Sequence, residues 1–471
     1  MVARPLTVLF MPESAYGPTN NCVGIGAVLR RRGHRVVFAA EVSWRGKLEA
    51  LGFEEDLVDL APAEAEAGAG GDGAPAEAGA GGDGAPAEAG AAPAEVGDGD
   101  AGRFWTDFVK ETAPAFRLPT IEQLEHFVRP TWQALVDGAR YCQPQLEAVL
   151  DRQRPDVVVE DNVCAFPALL TSGAPFVRIV SCNPLEMKGP RVPPAFSGYP
   201  LEDDSRWTEY RAEYDRVLRD LWAEHDDWVR ACGAPGLPAL EFIHESDVAN
   251  LYVYPGAVDY RDRRPLGPTW HRLDSSVRAT DERFEVPETL SRRAGGLVYL
   301  SLGSLGSADV GLMEHLVEVL SRTPHRYIVS KGPLSDRYEL ADNMWGAPQV
   351  PQTSVLPLVD LVITHGGNNT ATECFHFGKP MVVLPLFWDQ HDNAQRIEET
   401  GFGRRLPTYD HDPAELVGAV DALLGDQRLR RRMATLGAEI RSRQGTERAA
   451  TLIEEAASAG SRRAVARPPA G

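Results

Sequence analysis

Long apolar runs are missing from this chain of 471 residues. Its aliphatic stretches are short and broken by Gly and Pro, and none approaches the roughly 18–20 apolar residues that a membrane-spanning helix requires. No membrane span is therefore expected. The start, MVARPLTVLFMPES, has one Arg and a brief apolar run, Leu6–Phe10, which suits a first β-strand better than a signal peptide. Paired cysteines are also missing. Cys22, Cys142, Cys164, Cys182, Cys232 and Cys374 lie far apart with no CxxC spacing, so scattered reduced thiols in a cytoplasmic protein are expected rather than a disulfide or zinc framework. Basic charge is scarce, with 48 Lys and Arg against 68 Asp and Glu and a net charge of −20. That balance argues against a nucleic-acid partner, because phosphate backbones reward clustered Lys and Arg. One basic cluster, Arg428 with Arg430–Arg432, reads as a solvated helix face.

What is present is an alternation of strand and helix patterns. Residues 5–60 read as strand (Leu6–Phe10), helix (about Asn20–Arg32, ended at Gly33) and strand (Arg35–Ala39). Residues 61–101 differ in kind. GGDGAPAEAGA fills 70–80 and repeats at 81–91, and nine acidic side chains occur with no basic or aromatic one. Such a segment cannot bury enough apolar surface to offset chain entropy, so a disordered acidic insert is expected. Helical text resumes over Phe104–Leu150. Strands follow at Asp156–Glu160 and Pro175–Val180 around a helix at Phe166–Ser172. An aromatic-rich stretch at 183–245 suggests helices and loops covering a cleft. LVYLSLGSLGS at 297–307 opens a second strand-and-loop series. The alternation implies an α/β fold with parallel sheets, and the length suits two domains with separate cores.

The most informative segment is His365–Gly401. Leu361–Thr364 is a β-branched strand, and His365-Gly366-Gly367 turns into a helix beginning near Asn369–Thr370. Met381–Leu384 forms the next strand after a break at Gly378–Pro380. A turn of this kind sets free backbone N–H groups and the positive end of a helix at the carboxyl edge of a sheet, where anions and above all phosphates bind.

These residues resemble the donor-sugar signature of the UDP-glycosyltransferase-like enzymes, inverting transferases of the GT-B fold, with bacterial natural-product (macrolide and polyketide) glycosyltransferases nearest in type. The matching positions, spread over roughly fifty residues, are Pro351-Gln352, Val355-Leu356, His365-Gly366-Gly367, Asn369-Thr370, Glu373, Lys379-Pro380, Pro385, Asp389-Gln390, Asn393-Ala394 and Glu398. The resemblance implies two Rossmann-like doubly wound domains facing a cleft. An acceptor-binding domain is expected over 1–270 and a nucleotide-sugar domain over 271–456, with the passage between them near Tyr254–Pro268 and a loose tail over 457–471. It further implies that His365, Gly366, Gly367, Asn369 and Thr370 hold a diphosphate, joined by Gly303 and Ser304. Glu373 would take the ribose hydroxyls, Asp389 and Gln390 the sugar, and Gln352 the nucleoside. Relatives often place an aromatic residue three positions before that glutamine. Here it is Gln349, which leaves UDP and dTDP both open.

The acceptor half departs from the pattern. Relatives usually carry a catalytic histidine in the loop after the first strand, whereas here that position is Pro18 in Glu13–Asn20. His34 belongs to the Gly33-His34 turn and reads as structural. Asp161, at the end of the Asp156–Glu160 strand, resembles the acid that orients the missing histidine. Asp161 or Glu13 is therefore the expected base, Asp161 first. A phenol, carboxylate or amine asks less of a base than an aliphatic alcohol does. The scheme implies no cofactor beyond the nucleotide sugar as co-substrate, and no metal, since the Asp98-Gly99-Asp100 motif lies in the insert. A homodimer is one option for the assembly. The resemblance gives two functional readings: transfer of a sugar to a hydrophobic small molecule, and, prompted by Pro18, a catalytically silent GT-B protein that binds nucleotide sugar or serves as an accessory subunit.

Overall fold

The computed structural model describes residues 4–61, 112–278 and 282–466, with 460–466 described by backbone alone. The expected insert at 61–101, with Asp98-Gly99-Asp100, lies outside the described residues apart from Ala61.

Two sheets organise the chain. The first contains β1 (Thr7–Pro12), β2 (Arg35–Phe38), β3 (Glu54–Glu55), β4 (Val157–Asp161), β5 (Phe176–Val180), β6 (Ala249–Tyr252) and β7 (Trp270–Arg272), in the order β3-β2-β1-β4-β5-β6-β7. The second contains β8 (Leu297–Ser301), β9 (Arg326–Ser330), β10 (Met344–Ala347), β11 (Leu361–Thr364), β12 (Met381–Val383) and β13 (Gly403–Arg405), in the order β10-β9-β8-β11-β12-β13. Every pairing is parallel. Strands β4, β8 and β11 are buried along their whole length. Covered on both faces, they read as near-continuous apolar runs rather than alternating ones. The result is a pair of Rossmann-like α/β domains.

Each sheet reverses its strand order once, between β1 and β4 and between β8 and β11. In open parallel sheets a crevice forms at such a point, outside the carboxyl ends of the strands. The register sets Pro12 beside Asp161 and Ser301 beside Thr364 at those ends. The residues that follow or close these strands are Glu13, Asp161, Gly303 and His365. Topology alone thus brings these four sequence candidates to the two switch points.

Helix α1 (Tyr16–Arg31) follows β1 and buries Cys22, Val23, Ile25, Val28 and Leu29. It begins four residues earlier than expected, so Pro18 lies in its first turn rather than in the preceding loop. Proline fits there because first-turn N–H groups have no intrahelical partner to lose. Helix α2 (Arg129–Gln153) precedes β4, and α3 (Trp207–Ala231), between β5 and β6 in the chain, packs against α2. In the second domain, α4 (Gly303–Gly306) follows β8, α5 (Asn368–Phe377) follows β11, and α6 (Gln390–Glu399) lies between β12 and β13.

Two expectations about organisation are corrected. Tyr254–Pro268 does not pass between domains, because β7 returns after it to pair with β6. The crossing comes later, between β7 and β8. The last helix, α7 (Gly445–Ala466), does not belong with the second sheet. Its small face, Ala449, Ala450, Ile453, Ala456 and Ala457, packs into the core formed by β1, β2 and α1. Arg32 pairs with Glu447 and Glu454, and His34 Nε2 lies 2.9 Å from Glu454. His34 Nδ1 also accepts the Leu6 N–H at 3.1 Å, so this histidine is structural. The helix runs through residues expected to form a loose tail.

Candidate functional site

The turn between β11 and α5 is shaped around one imidazole. Gly303 has φ +71°, and a Cβ on it would stand 3.0 Å from His365 Cε1 and Nε2. On Gly367 a Cβ would stand 2.6 Å from Nε2. The two glycines therefore make room for the ring, and Gly303 also supplies a backbone conformation that a side chain disfavours. Gly366 has φ +87° and passes within 2.6 Å, at the Cβ position, of Val383. Burial drives the His365 pKa down to about 4, opposed by a hydrogen bond with the Ser301 backbone. The ring is neutral at pH 7 and donates through one nitrogen only.

Helix α5 starts at Gly367, which offers no side-chain cap. Helix α1 starts at Ala15, likewise without one. The two starts meet across the domains, since a Cβ on Gly17 would stand 3.3 Å from the Asn369 Cβ. Two helix N-termini with uncapped N–H groups thus converge, and their dipoles add to favour an anion. Ser304, next to Gly303 on α4, is exposed.

The remaining donor-side candidates fall into two groups. Gln352, Asn369, Thr370 and Glu373 form one network. Glu373 is 3% exposed, and its Oε1 accepts from Asn369 Nδ2 at 3.1 Å while Oε2 accepts from Gln352 Nε2 at 2.6 Å. Gln352 Nε2 also reaches Thr370 Oγ1 at 3.3 Å. Burial pushes the Glu373 carboxyl up. Asp389 and Gln390 form the second group and face protein. Gln390 Oε1 accepts the backbone N–H groups of Leu386 and Phe387. Asp389 Oδ2 accepts the Asn183 N–H at 2.8 Å from the opposite domain.

On the first-domain side, Asp161 is 2% exposed. Its Oδ2 accepts from Ser181 Oγ at 2.6 Å, and the Cys22 thiol lies 3.7 Å away. Burial pushes its carboxyl up to about 8, against the pull of the Ser181 hydrogen bond, and the charge of Glu13 adds to the rise. Glu13 is half-buried, and its backbone N–H is tied to the Asp161 carbonyl at 2.8 Å. Its carboxyl is pushed up to about 7, first by desolvation and then by the charges of Glu186 and Asp389. Asp389 is likewise pushed up to about 7 by burial, with Glu186 contributing. Glu13, Asp161, Glu186 and Asp389 therefore share one electrostatic field across the cleft.

Asn183, Asp392 and Asn368 at this boundary are not signalled by the donor-sugar pattern, whereas Asn393 is. Asn183 Nδ2 donates to Asn393 Oδ1 at 2.8 Å. The Asp392 carboxylate accepts the N–H groups of Phe196 (2.6 Å) and Gly198 (2.8 Å). Asn368, the first residue of α5, donates to the carbonyls of Ser181 and Val253. Asn183 carries one local signal, an Asn-Pro cap just past a strand, but its partners are remote in sequence. Among the described residues, no group of three or more His, Cys, Asp or Glu is placed to hold a metal ion, and no helix is long and apolar enough to cross a membrane.

Two Rossmann-like domains with a polar crevice between their switch points define the GT-B class. The solved structure of the glycotransferase of kitacinnamycin agrees, superposing with a TM-score of 0.67 over 96% of this chain and 100% of that one, at 21% identity. Residues 314–455 match the family described as erythromycin biosynthesis protein CIII-like, C-terminal domain. The chain is 26% identical to demethyllactenocin mycarosyltransferase of Streptomyces fradiae over 96% of its own length and 86% of the relative's. With oleandomycin glycosyltransferase of Streptomyces antibioticus it shares 27% identity over 68% and 73% of the two chains. In sequence and fold the chain is thus similar to bacterial natural-product glycosyltransferases.

Proposed function

We propose that the chain transfers a sugar from a uridine or thymidine diphosphate sugar to a hydrophobic small-molecule acceptor, with inversion at the anomeric carbon. The acceptor heteroatom attacks the anomeric carbon in line as the bond to the diphosphate oxygen breaks. The bonding pair leaves with the nucleoside diphosphate, and the acceptor's proton passes to a carboxylate. Charge growing on the leaving oxygens is met by the first-turn N–H groups of α5, with His365, Asn369, Thr370 and Ser304, rather than by a divalent ion. Donors preorganised where charge develops are the largest single contribution to many such barriers. The convergence of two uncapped helix starts beside His365 carries this reading.

Glu13 is the better candidate for the base. Asp161 is buried and engaged by Ser181 and Cys22, which suits a role holding the β4–β5 edge. Glu13 is less enclosed, lies in the field of Asp389, and titrates near neutrality, where a general base is most effective. In this scheme Asp389 exchanges its Asn183 bond for a sugar hydroxyl as the domains part. Six free cysteines, four of them buried, suit a cytoplasmic setting.

The test is incubation with UDP-glucose and dTDP-sugars against a panel of phenols, amines and macrolides, with mass detection. Glycosylated product supports the proposal. Nucleotide binding without transfer to any acceptor would favour a silent binding protein instead.

A further inference from the structure

Helix α6 is preceded by an acid that does not cap it. Asp is a favoured N-cap because its carboxylate accepts N–H groups from its own first turn. Asp389 holds that position and makes no such bond. Its Oδ2 instead accepts the Asn183 N–H at 2.8 Å, across the domain boundary. Both residues are buried. The Asn183 side chain reaches the same helix, donating to Asn393 Oδ1, and Asn393 Nδ2 in turn donates to the Gly366 carbonyl at 2.9 Å. A chain of hydrogen bonds thus joins the loop after β5 to the bend proposed to hold the diphosphate.

The second domain grips that loop at two further points. Before Asn183, the Asn368 side chain donates to the Ser181 carbonyl at 2.8 Å. Beyond it, the two oxygens of Asp392 accept the Phe196 and Gly198 N–H groups, and Arg405 Nη1 donates to the Gly198 carbonyl at 2.8 Å. Gly198 has φ +61°, and a Cβ on it would stand 2.9 Å from the His391 Cβ, so the loop lies directly against α6 there. No part of a nucleotide sugar is called on to replace these outer contacts. Asp389 differs, because its carboxylate has two claimants, a sugar hydroxyl and the Asn183 N–H. With Asp389 only 7% exposed, a sugar reaches it by displacing the loop.

Resting on the transferase reading above, we infer that Ser181–Gly198 is a strap latched on Asp389, which the sugar of the donor releases and the nucleotide alone does not. A ligand shifts such an equilibrium only through contacts that differ between the two states. UDP or dTDP fills the His365 bend and leaves Asp389 untouched, so the latch stays closed. The attached sugar offers Asp389 a hydroxyl in place of the Asn183 N–H. The domains then part locally at Asn183, between the fixed points at Ser181 and Phe196. The device separates a loaded donor from the spent nucleotide that remains after transfer.

Hydrogen exchange read by mass spectrometry tests this on the full-length protein, free and saturated with UDP, UDP-glucose, dTDP or dTDP-glucose. Local opening governs exchange of a buried amide, and losing a hydrogen bond to a carboxylate changes that equilibrium by about tenfold or more. Fragments containing Asn183 should exchange at least about tenfold faster with a nucleotide sugar than with the matching nucleotide. Phe196 and Gly198 should keep their free-state rates. Asp389→Ala should speed Asn183 exchange without any ligand and abolish the difference between nucleotide and nucleotide sugar. Equal Asn183 exchange with a bound nucleotide and its sugar overturns the inference even if the variant fails to fold, as does an Asp389→Ala protein whose Asn183 exchanges at the wild-type rate. Calorimetry on the same samples separates the two readings. A nucleotide sugar that binds without loosening Asn183 overturns the strap alone, whereas no binding of any of the four overturns the transferase reading beneath it.

Discussion

Replacing Glu13 with Gln tests the assignment of the base. The exchange alters little else: the hydrogen bond that ties residue 13 to Asp161 runs through its backbone N–H, which Gln retains. A general base contributes about 10²–10⁴-fold in rate, so Glu13→Gln should lower kcat by that factor with donor binding intact. The pH profile adds a second, independent number. With the carboxyl near 7 in the free protein, roughly a tenth of it is ionised at pH 6 and roughly nine-tenths at pH 8, so kcat/KM should rise about tenfold over that range and then level off. If Asp161 were the base, with its carboxyl near 8, the midpoint would move up by one pH unit. Initial rates by product mass between pH 5.5 and 9.5 distinguish the two. A Glu13→Gln protein with wild-type turnover would refute the assignment, and so would an Asp161→Asn variant with unchanged thermal stability but complete loss of rate.

Gly367→Ala places a methyl group 2.6 Å from His365 Nε2 while suiting the backbone φ of −55°. Calorimetry should show nucleotide affinity falling about tenfold or more, or about 1.4 kcal/mol, while the melting temperature stays within a few degrees. Stability should depend on pH in an unusual direction. Folded Glu160, Asp161 and Asp392 titrate near 8 and Glu13 and Asp389 near 7, chiefly through burial, against about 4 in the unfolded chain. Acids raised in this way contribute fully below about pH 4 and lose that contribution as pH rises through 7 to 8. Melting temperature should therefore fall from pH 5.5 to 8.5, and a rise would contradict the burial of these groups. Asp392→Asn keeps one acceptor for the two N–H groups of Phe196 and Gly198 and turns an N–H toward the other. Urea unfolding should show a loss of about 1–3 kcal/mol, whereas an unchanged midpoint would mean that this contact between domains contributes nothing.

Much of this was legible because the signals are local. Leu361–Thr364 and Leu297–Ser301 are buried parallel strands, and parallel strands appear as unbroken apolar runs. Gly366 and Gly367 lie in the same short turn as His365, so their spacing shows in the sequence, whereas Gly303 reaches the ring from the loop after β8. What could not be read depends on partners far away in sequence. Trp270–Arg272 gives no sign that it adds an edge strand to the first sheet, because that pairing is set by β6. The alanine face of α7 promises close packing but does not say on which sheet. Asp389 and Gln390 resemble a sugar-binding pair, yet here Asp389 meets Asn183 across the domains, while Gln390 folds back on the Leu386-Phe387 backbone of its own loop.

The central claim is that a nucleoside diphosphate docks on the bend at His365 and the start of α5. Isothermal titration of the purified protein with UDP and with dTDP, repeated on His365→Ala, tests it most directly. Saturable binding of at least one nucleotide, weakened tenfold or more by the substitution, is the predicted result. No measurable binding of either nucleotide, or binding that the His365 variant leaves unchanged, would contradict it.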